Sequence, residues 1–295
     1  MLCGMARIAI IGGGSIGEGL LSGLLRAGHQ VKDLVVAERV PERAKYLADT
    51  YSVRVASPSE AVDNAAVVVV AVKPGDVDSV VGDLVRATAE AEDGGAERVF
   101  ITVAAGITIS YFESKLPAGT PVIRAMPNAA MLVGAGVTAL AKGRFVTPEQ
   151  LDDASALFGA VGGVLTVPEV QMDAVTALSG SGPAYFFLMV EALVDAGVAA
   201  GLSRDVATDL TAQTLGGSAA MLLNRMDEAP QPGDRETAGT RPDATAAQLR
   251  AMVTSPGGTT AAALRELERG GFRAAVDAAV QAAKSRSEQL RVTSG

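Results

Sequence analysis

An isoleucine-rich run that ends in glycines and opens straight into a helix pattern constrains this chain more than any other feature. Arg7-Ile8-Ala9-Ile10-Ile11 leads into Gly12-Gly13-Gly14-Ser15-Ile16-Gly17, and behind it Ile16, Leu20, Leu21, Leu24 and Leu25 fall on one stripe that stops at Gly28. Strand, glycine turn and helix in that order is the opening unit of an open α/β sheet. Glycines at 12, 14 and 17 spell Gly-x-Gly-x-x-Gly, and Glu38 closes the next strand about twenty residues on, the context in which that motif binds a dinucleotide. Glycines let the backbone approach a pyrophosphate, and the free N–H groups of the helix start solvate its charge. A structural turn without a ligand is the alternative.

The alternation continues. Strands are expected at Arg7–Ile11, Leu34–Glu38, Val67–Val72, Val99–Val103 and Val122–Ala125, with a weaker pair at Val137–Ala141 and Val164–Val167. Helices are expected over Pro41–Tyr51, Asp76–Ala89 and Thr147–Val161, the last with Thr147 as N-cap, Pro148 at the first helical position and Gln150 completing a capping box. After Glu169 the strand signals stop, and 182–200, 203–226, 259–269 and 271–290 all read as helices. The predicted organisation is therefore a Rossmann-type doubly wound parallel sheet over residues 1–168, followed by an all-α domain over 169–295. The polar stretch from Asn224 to Ala247 reads as a mobile surface excursion.

The segment 182–200, GPAYFFLMVEALVDAGVAA, is apolar nearly all round and needs cover on every side, which predicts a homodimer with this segment in the interface. The central helix of a monomeric bundle is the alternative. The longest uncharged stretch, Ala174 to Val190, is shorter than a bilayer span and carries two glycines and a proline, so no transmembrane helix is expected. The start lacks the features of a signal peptide, and the protein is expected in the cytoplasm.

Charge and rare residues narrow the chemistry. A net charge of −8 argues against the clustered cationic surface that nucleic acid requires, so any bound phosphate must be held by local geometry. The only cysteine, Cys3, lies ahead of Met5, itself a candidate natural start, which excludes disulfides and thiolate metal sites. The only histidine, His29, follows the predicted first helix and reads as a loop residue, neither ligand nor catalyst. A ketone reductase usually needs such a group to protonate an alkoxide. This chain must manage otherwise.

For the cofactor, Glu38 suits the 2′-hydroxyl of an adenine ribose, whereas Arg39 and Arg43 suit a 2′-phosphate. The guanidinium pair favours NADP(H), with NAD(H) usable; ordinary solvated arginines are the alternative. Further along the same sheet edge come Ala71-Val72-Lys73-Pro74, Ala104-Ala105-Gly106 and Met126-Pro127-Asn128, where ligands of open α/β sheets sit. Lys73 there is either a cofactor contact or a flanking charge.

A second glycine turn, Thr254-Ser255-Pro256-Gly257-Gly258-Thr259-Thr260, precedes the helix at 259. Successive backbone N–H groups flanked by hydroxyls form an anion nest, and the lack of Lys or Arg suits a small carboxylate better than a phosphate. A plain helix cap is the alternative.

With AVKP at 71–74, AMPN at 125–128, DAVTALSGSGPAYFF at 173–187 and VTSPGGTTAAALRELERGGFR at 253–273, the chain resembles the pyrroline-5-carboxylate reductases over almost its whole length. The resemblance implies a Rossmann domain followed by a helical dimerisation domain, with dimers that often assemble into a ring of five. It makes Ser255, Gly257, Gly258, Thr259 and Thr260 the cradle of the substrate carboxylate, with Thr260 also bonding the ring nitrogen, and it places Ser181 at the pocket floor. It assigns Gly12, Gly14 and Gly17 to the pyrophosphate, and Ser15, Ile16, Ala71, Lys73, Pro74 and Asn128 to ribose and nicotinamide. Family members often carry Asn where Pro58 or its serine neighbours fall, and the 224–247 stretch is longer than usual.

The implied substrate, 1-pyrroline-5-carboxylate, fits the missing acid. Its nitrogen is partly protonated near neutral pH, so hydride adds to an iminium and no alkoxide forms. Catalysis is then mostly positioning and exclusion of water. A β-hydroxyacid dehydrogenase would carry a lysine on the helix after a glycine-rich turn, and here none follows Ser179–Gly182 before Arg204. A non-catalytic NADP(H) sensor would have no need of the second turn.

Overall fold

The computed structural model describes residues 7–89, 98–227 and 245–290. Cys3, Met5 and most of the polar stretch, 228–244, lie outside the described residues.

One eight-stranded sheet carries the N-terminal part. Its strands are β1 Arg7–Ile11, β2 Leu34–Ala37, β3 Arg54–Ala56, β4 Ala65–Val70, β5 Val99–Thr102, β6 Val122–Met126, β7 Gly136–Lys142 and β8 Gly162–Thr166, in spatial order β3-β2-β1-β4-β5-β6-β7-β8. Six α-helices connect them: α1 Ser15–Arg26, α2 Pro41–Tyr51, α3 Pro58–Val62, α4 Val77–Ala89, α5 Ile109–Lys115 and α6 Pro148–Gly159. Alternate residues of each strand feed opposite cores, as the period of two requires. Ile8, Ile10, Val67 and Val69 pack with Leu20, Leu21 and Leu24 of α1 and Leu157 and Phe158 of α6. Ala9, Ile11, Val68 and Val70 pack with Val81 and Leu84 of α4 and Phe112 of α5.

The sheet departs from the all-parallel expectation at one place, because β7 runs antiparallel to β6 before β8 returns parallel to β7. The connection from Met126 to Gly136 is a single 3₁₀ turn, Ala129–Val133, ending at Gly134 in the left-handed region (φ 75°). That is a reversal, too short for a parallel crossover. The capping box at Thr147 and Gln150 is present, with both bonds made.

Compact units divide the described residues differently from the composition boundary. One unit takes those of Met1–Pro183 together with Val280–Gly295, and the other is Ala184–Ala279. In the first unit, α7 Met172–Val175 runs into a π turn, Thr176–Gly180. The last turn of α12, Phe272–Gln289, is pinned to α7 by a buried bond from the Ser287 hydroxyl to Asp173 Oδ1 at 2.7 Å. The second unit holds most of α8 Gly182–Ala199, then α9 Arg204–Asp227, α10 Thr245–Met252, α11 Thr259–Arg269 and the start of α12. α9 and α10 thus take the two ends of the stretch read as a surface excursion.

The second unit leaves large apolar side chains in solvent: Phe186, Phe187, Leu188 and Leu193 on α8, and Leu210, Met221 and Leu223 on α9. By length and composition alone, the helical run Glu169–Ala199 is apolar enough to cross a membrane. Serine, glycines and a π turn interrupt it at 176–182.

Candidate active site

Three glycines of the first turn serve three different ends. Gly12 sits at φ 107°, and a Cβ there would lie 2.7 Å from the Ala71 carbonyl oxygen, so the turn can pass β4 only with glycine. A Cβ on Gly17 would overlap the Gly12 carbonyl oxygen, which ties α1 tightly to the strand it leaves. Gly14, by contrast, has nothing within 4 Å of its Cβ position. It is the N-cap of α1 and makes no side-chain cap, so the N–H groups of Ser15, Ile16 and Gly17 face an open approach. That space fits the pyrophosphate of a dinucleotide.

A cleft of about 910 Å³ opens beside this turn at the C-terminal ends of β1, β2, β3 and β4. Of the residues singled out from sequence, Gly12, Gly14, Glu38, Arg39, Arg43, Ala71, Val72 and Lys73 line it. Ser15, Ile16, Gly17, Pro74, Ala104, Ala105, Gly106 and Asn128 fall outside that lining. Gly106 has a packing reason of its own, since at φ 76° a Cβ there would lie 2.6 Å from the Leu290 carbonyl oxygen. Ala104 is buried in the core.

On the far wall, sequence reading missed Val55, Ser79 and Asp83, whereas Ser57 and Pro58 fall where the resemblance marked a departure from the family. One signal for this wall was available: Ser57-Pro58-Ser59-Glu60 is a capping box with proline at the first helical position, and both of its bonds form.

The charged groups are engaged in ways that the sequence did not indicate. Glu38 accepts the Gly13 N–H at 2.9 Å and the Val40 N–H at 2.8 Å. Arg43 donates from Nε to the Gly13 carbonyl at 2.7 Å and pairs with Glu18, which also accepts from the Tyr51 hydroxyl at 2.8 Å. Burial pushes the Glu18 carboxyl up, but the bonds from Arg43 and Tyr51 outweigh it and hold its pKa below the ordinary value. Burial and the Glu18 bond push the Tyr51 phenol up to about 12. Arg39 is 77% exposed and pairs with Asp76 at 2.8 Å, both of them on the cleft wall.

Asn128 acts as a joint at the other end of the sheet edge. Its side-chain oxygen Oδ1 accepts the Val137 N–H at 3.2 Å, and its side-chain Nδ2 donates to the Ser179 hydroxyl at 3.5 Å. The AMPN turn is thereby tied to the π turn that precedes Ser181, and a Cβ on Gly180 would contact Met126 Sδ at 3.9 Å. Turns of this kind are frequent at functional sites.

The second glycine turn lies wholly in the helical unit. Pro256 and Gly257, the latter at φ 70°, are the central residues of a turn closed by the Gly258 N–H on the Ser255 carbonyl at 3.0 Å, the geometry of a type II turn. Gly258 is the N-cap of α11 without a side-chain cap, so the N–H groups of Thr259, Thr260 and Ala261 have no partner within the helix. The Thr254 hydroxyl is turned away, donating to the Arg250 carbonyl at 2.6 Å. Among the described residues, no group of three or more His, Cys, Asp or Glu is placed to hold a metal ion.

Sheet order, glycine turn and cleft define a nicotinamide-dinucleotide oxidoreductase with an appended helical unit. A family model for NADP oxidoreductase, coenzyme F420-dependent, matches residues 7–106, and one for pyrroline-5-carboxylate reductase dimerisation matches residues 169–290. The chain is 77% identical to a pyrroline-5-carboxylate reductase of Mycobacterium tuberculosis over 99% of both chains. It is similar to the solved pyrroline-5-carboxylate reductase of Coxiella burnetii, at 34% identity and TM-score 0.85 over 98% of this chain and 100% of that one. The Plasmodium falciparum pyrroline carboxylate reductase, solved with NADP bound, matches at 27% identity and TM-score 0.80 over 98% and 100%. The chain belongs to the pyrroline-5-carboxylate reductase family. The dimerisation match supports self-association of the chain.

Proposed function

We propose that this chain reduces 1-pyrroline-5-carboxylate to L-proline, the last step of proline biosynthesis, at the expense of a reduced nicotinamide dinucleotide. The observation that carries the reading is the full-length 77% identity to the M. tuberculosis reductase. Bound at the glycine turn, the dinucleotide supplies a hydride. The open face of Gly14 and the uncapped start of α1 hold its pyrophosphate, with Ala71, Val72, Lys73, Pro74 and Asn128 along the sheet edge toward ribose and nicotinamide.

Ser255, Gly257, Gly258, Thr259 and Thr260 receive the substrate carboxylate on backbone N–H groups and hydroxyls, and the Thr260 hydroxyl accepts from the protonated ring nitrogen. Ser181 shapes the pocket floor. The single histidine, His29, half-buried in the loop after α1, is not needed, because the iminium arrives already protonated and leaves as an amine. What remains for the protein is orientation and the exclusion of water.

NADP(H) is the preferred cofactor, with NAD(H) usable; the exposed Arg39 on the cleft wall and the NADP found in the P. falciparum relative support this. The working unit is a homodimer built through the helical unit, five of which form a decamer in the cytoplasm. The exposed apolar faces of α8 and α9 support the dimer, and family resemblance alone suggests the ring.

The test is to follow NADPH oxidation with 1-pyrroline-5-carboxylate beside a panel of 2-keto acids, and NADP+ reduction with a panel of 3-hydroxy acids. Turnover confined to the imine acid is expected. Turnover of a 3-hydroxy acid with no imine reduction would overturn the reading.

A further inference from the structure

Both polar atoms of Gly13 are gripped by side chains from the strand–helix turn that follows β2. Glu38 takes its N–H at 2.9 Å, and Arg43 Nε donates to its carbonyl at 2.7 Å. Neither side chain is loose. The second Glu38 oxygen accepts the Val40 N–H, while Arg43 pairs with Glu18 and lies over the Tyr46 ring at 4.9 Å. Glu18 belongs to α1, directly after Gly17, so the brace closes on the helix whose start it orients.

Peptide geometry turns this brace into an aiming device. In a trans peptide the carbonyl and the following N–H point opposite ways. Fixing the Gly13 carbonyl on Arg43 therefore directs the Gly14 N–H away from Arg43, where Gly14 lines the cleft with open space before it. Fixing the Gly13 N–H on Glu38 likewise directs the Gly12 carbonyl away from Glu38, and that oxygen is the atom against which Gly17 packs.

We infer that Glu38 and Arg43 are positioning residues that aim the pyrophosphate turn, and that discrimination between the two nicotinamide dinucleotides falls to Arg39. Arg43 is neutralised by Glu18 at a site where both side chains are largely covered, with 30% and 17% exposure. Arg39, 77% exposed, has only its pair with the half-buried Asp76 to give up, and a pair with one partner in solvent is weak. A 2′-phosphate can replace Asp76 at small cost. The inference rests on the dinucleotide reading of the cleft and reassigns two residues that the sequence placed at the ribose.

The experiment is calorimetric binding of NADPH, NADH, ADP-ribose and adenosine 2′-monophosphate to the full chain and to Glu38→Gln, Arg43→Lys and Arg39→Ala, with melting curves for each. Glu38→Gln and Arg43→Lys should each weaken NADPH, NADH and ADP-ribose by one common factor, roughly tenfold, the worth of a hydrogen bond to a charged group. Adenosine 2′-monophosphate, which lacks the pyrophosphate, should be unmoved by both. Arg39→Ala should weaken NADPH and adenosine 2′-monophosphate only. In turnover, KM for both dinucleotides should rise together in the first two variants, with KM for the imine acid unchanged.

A Glu38→Gln effect on NADH alone would make Glu38 the ribose partner and overturn the inference. So would an Arg43→Lys effect confined to the 2′-phosphate ligands, equal loss of all four ligands, or no effect on any. If Glu38→Gln fails to fold, Arg43→Lys keeps the charge in place and carries the test. A wild-type chain that binds none of the four would instead sink the dinucleotide reading itself.

Discussion

The two glycine-rich helix mouths, at Gly12–Gly17 and at Ser255–Thr260, use one backbone device in opposite surroundings. Around the first, protein atoms crowd two of the three motif glycines: Gly12 against the Ala71 carbonyl and Gly17 against Gly12 itself. Around the second, a Cβ on Gly257 would meet nothing within 4 Å, and glycine is required there only by its φ of 70°. The first mouth is shaped by the sheet behind it, and Glu38 and Arg43 brace it from the side. The second is shaped by its own Pro-Gly turn and carries hydroxyls in place of a brace. Glycine in such a motif can thus mean interior crowding or local conformation, and the two fail differently when substituted.

The largest contrast should come from the glycines. Gly17→Ala forces a methyl into a backbone oxygen, and urea unfolding should show a loss of roughly 3 kcal/mol, the upper range for overpacking. Gly257→Ala meets only the left-handed penalty of about 1–2 kcal/mol. Equal losses would erase the distinction. Next, Thr260→Ala should raise KM for the imine acid by about tenfold while leaving KM for the cofactor in place, as expected for one hydroxyl bonded to a charged ligand. Equal effects on both would count against the second mouth as the carboxylate site.

Smaller still, Arg39→Ala should lower the NADPH/NADH preference by about fivefold, the scale of an exposed ion pair. An unchanged ratio would refute the 2′-phosphate assignment. The smallest effect concerns pH. Glu18 titrates below its ordinary 4.5 in the folded chain, so its contribution to stability is complete above pH 4.5 and fades as pH falls through the lowered value. Melting temperatures of wild type and Glu18→Gln should therefore differ most near neutrality and converge in acid. A gap that widens in acid would contradict the direction of the shift.

Much of this was legible in the chain. β1 and α11 fall where periodicity and turn residues place them, and the Thr147 capping box forms as read, because each of these signals is local. β3 escaped because three residues, none of them fully buried, carry no alternation. The reversal of β7 was hidden because hydrophobic patterning does not encode strand direction. α10 was missed because only its first three residues fall in the polar stretch and its eight residues are too few to establish a helical period. The partners of Glu38 and Arg43 lie 25 and 30 residues away, so composition could name the charges but not what they hold. The packing of Gly106 against Leu290, nearly two hundred residues later in the chain, likewise lay beyond any local signal.

That return of the C-terminus bears on recombination among relatives. Ala184–Ala279 is bounded on both sides by residues of the first unit, and the returning segment is stapled by Ser287 on Asp173 and by Leu290 on Gly106. A chimera that exchanges the helical unit at a single junction would inherit a mismatched tail. Two crossovers, one near Pro183 and one near Val280, would keep the staple native.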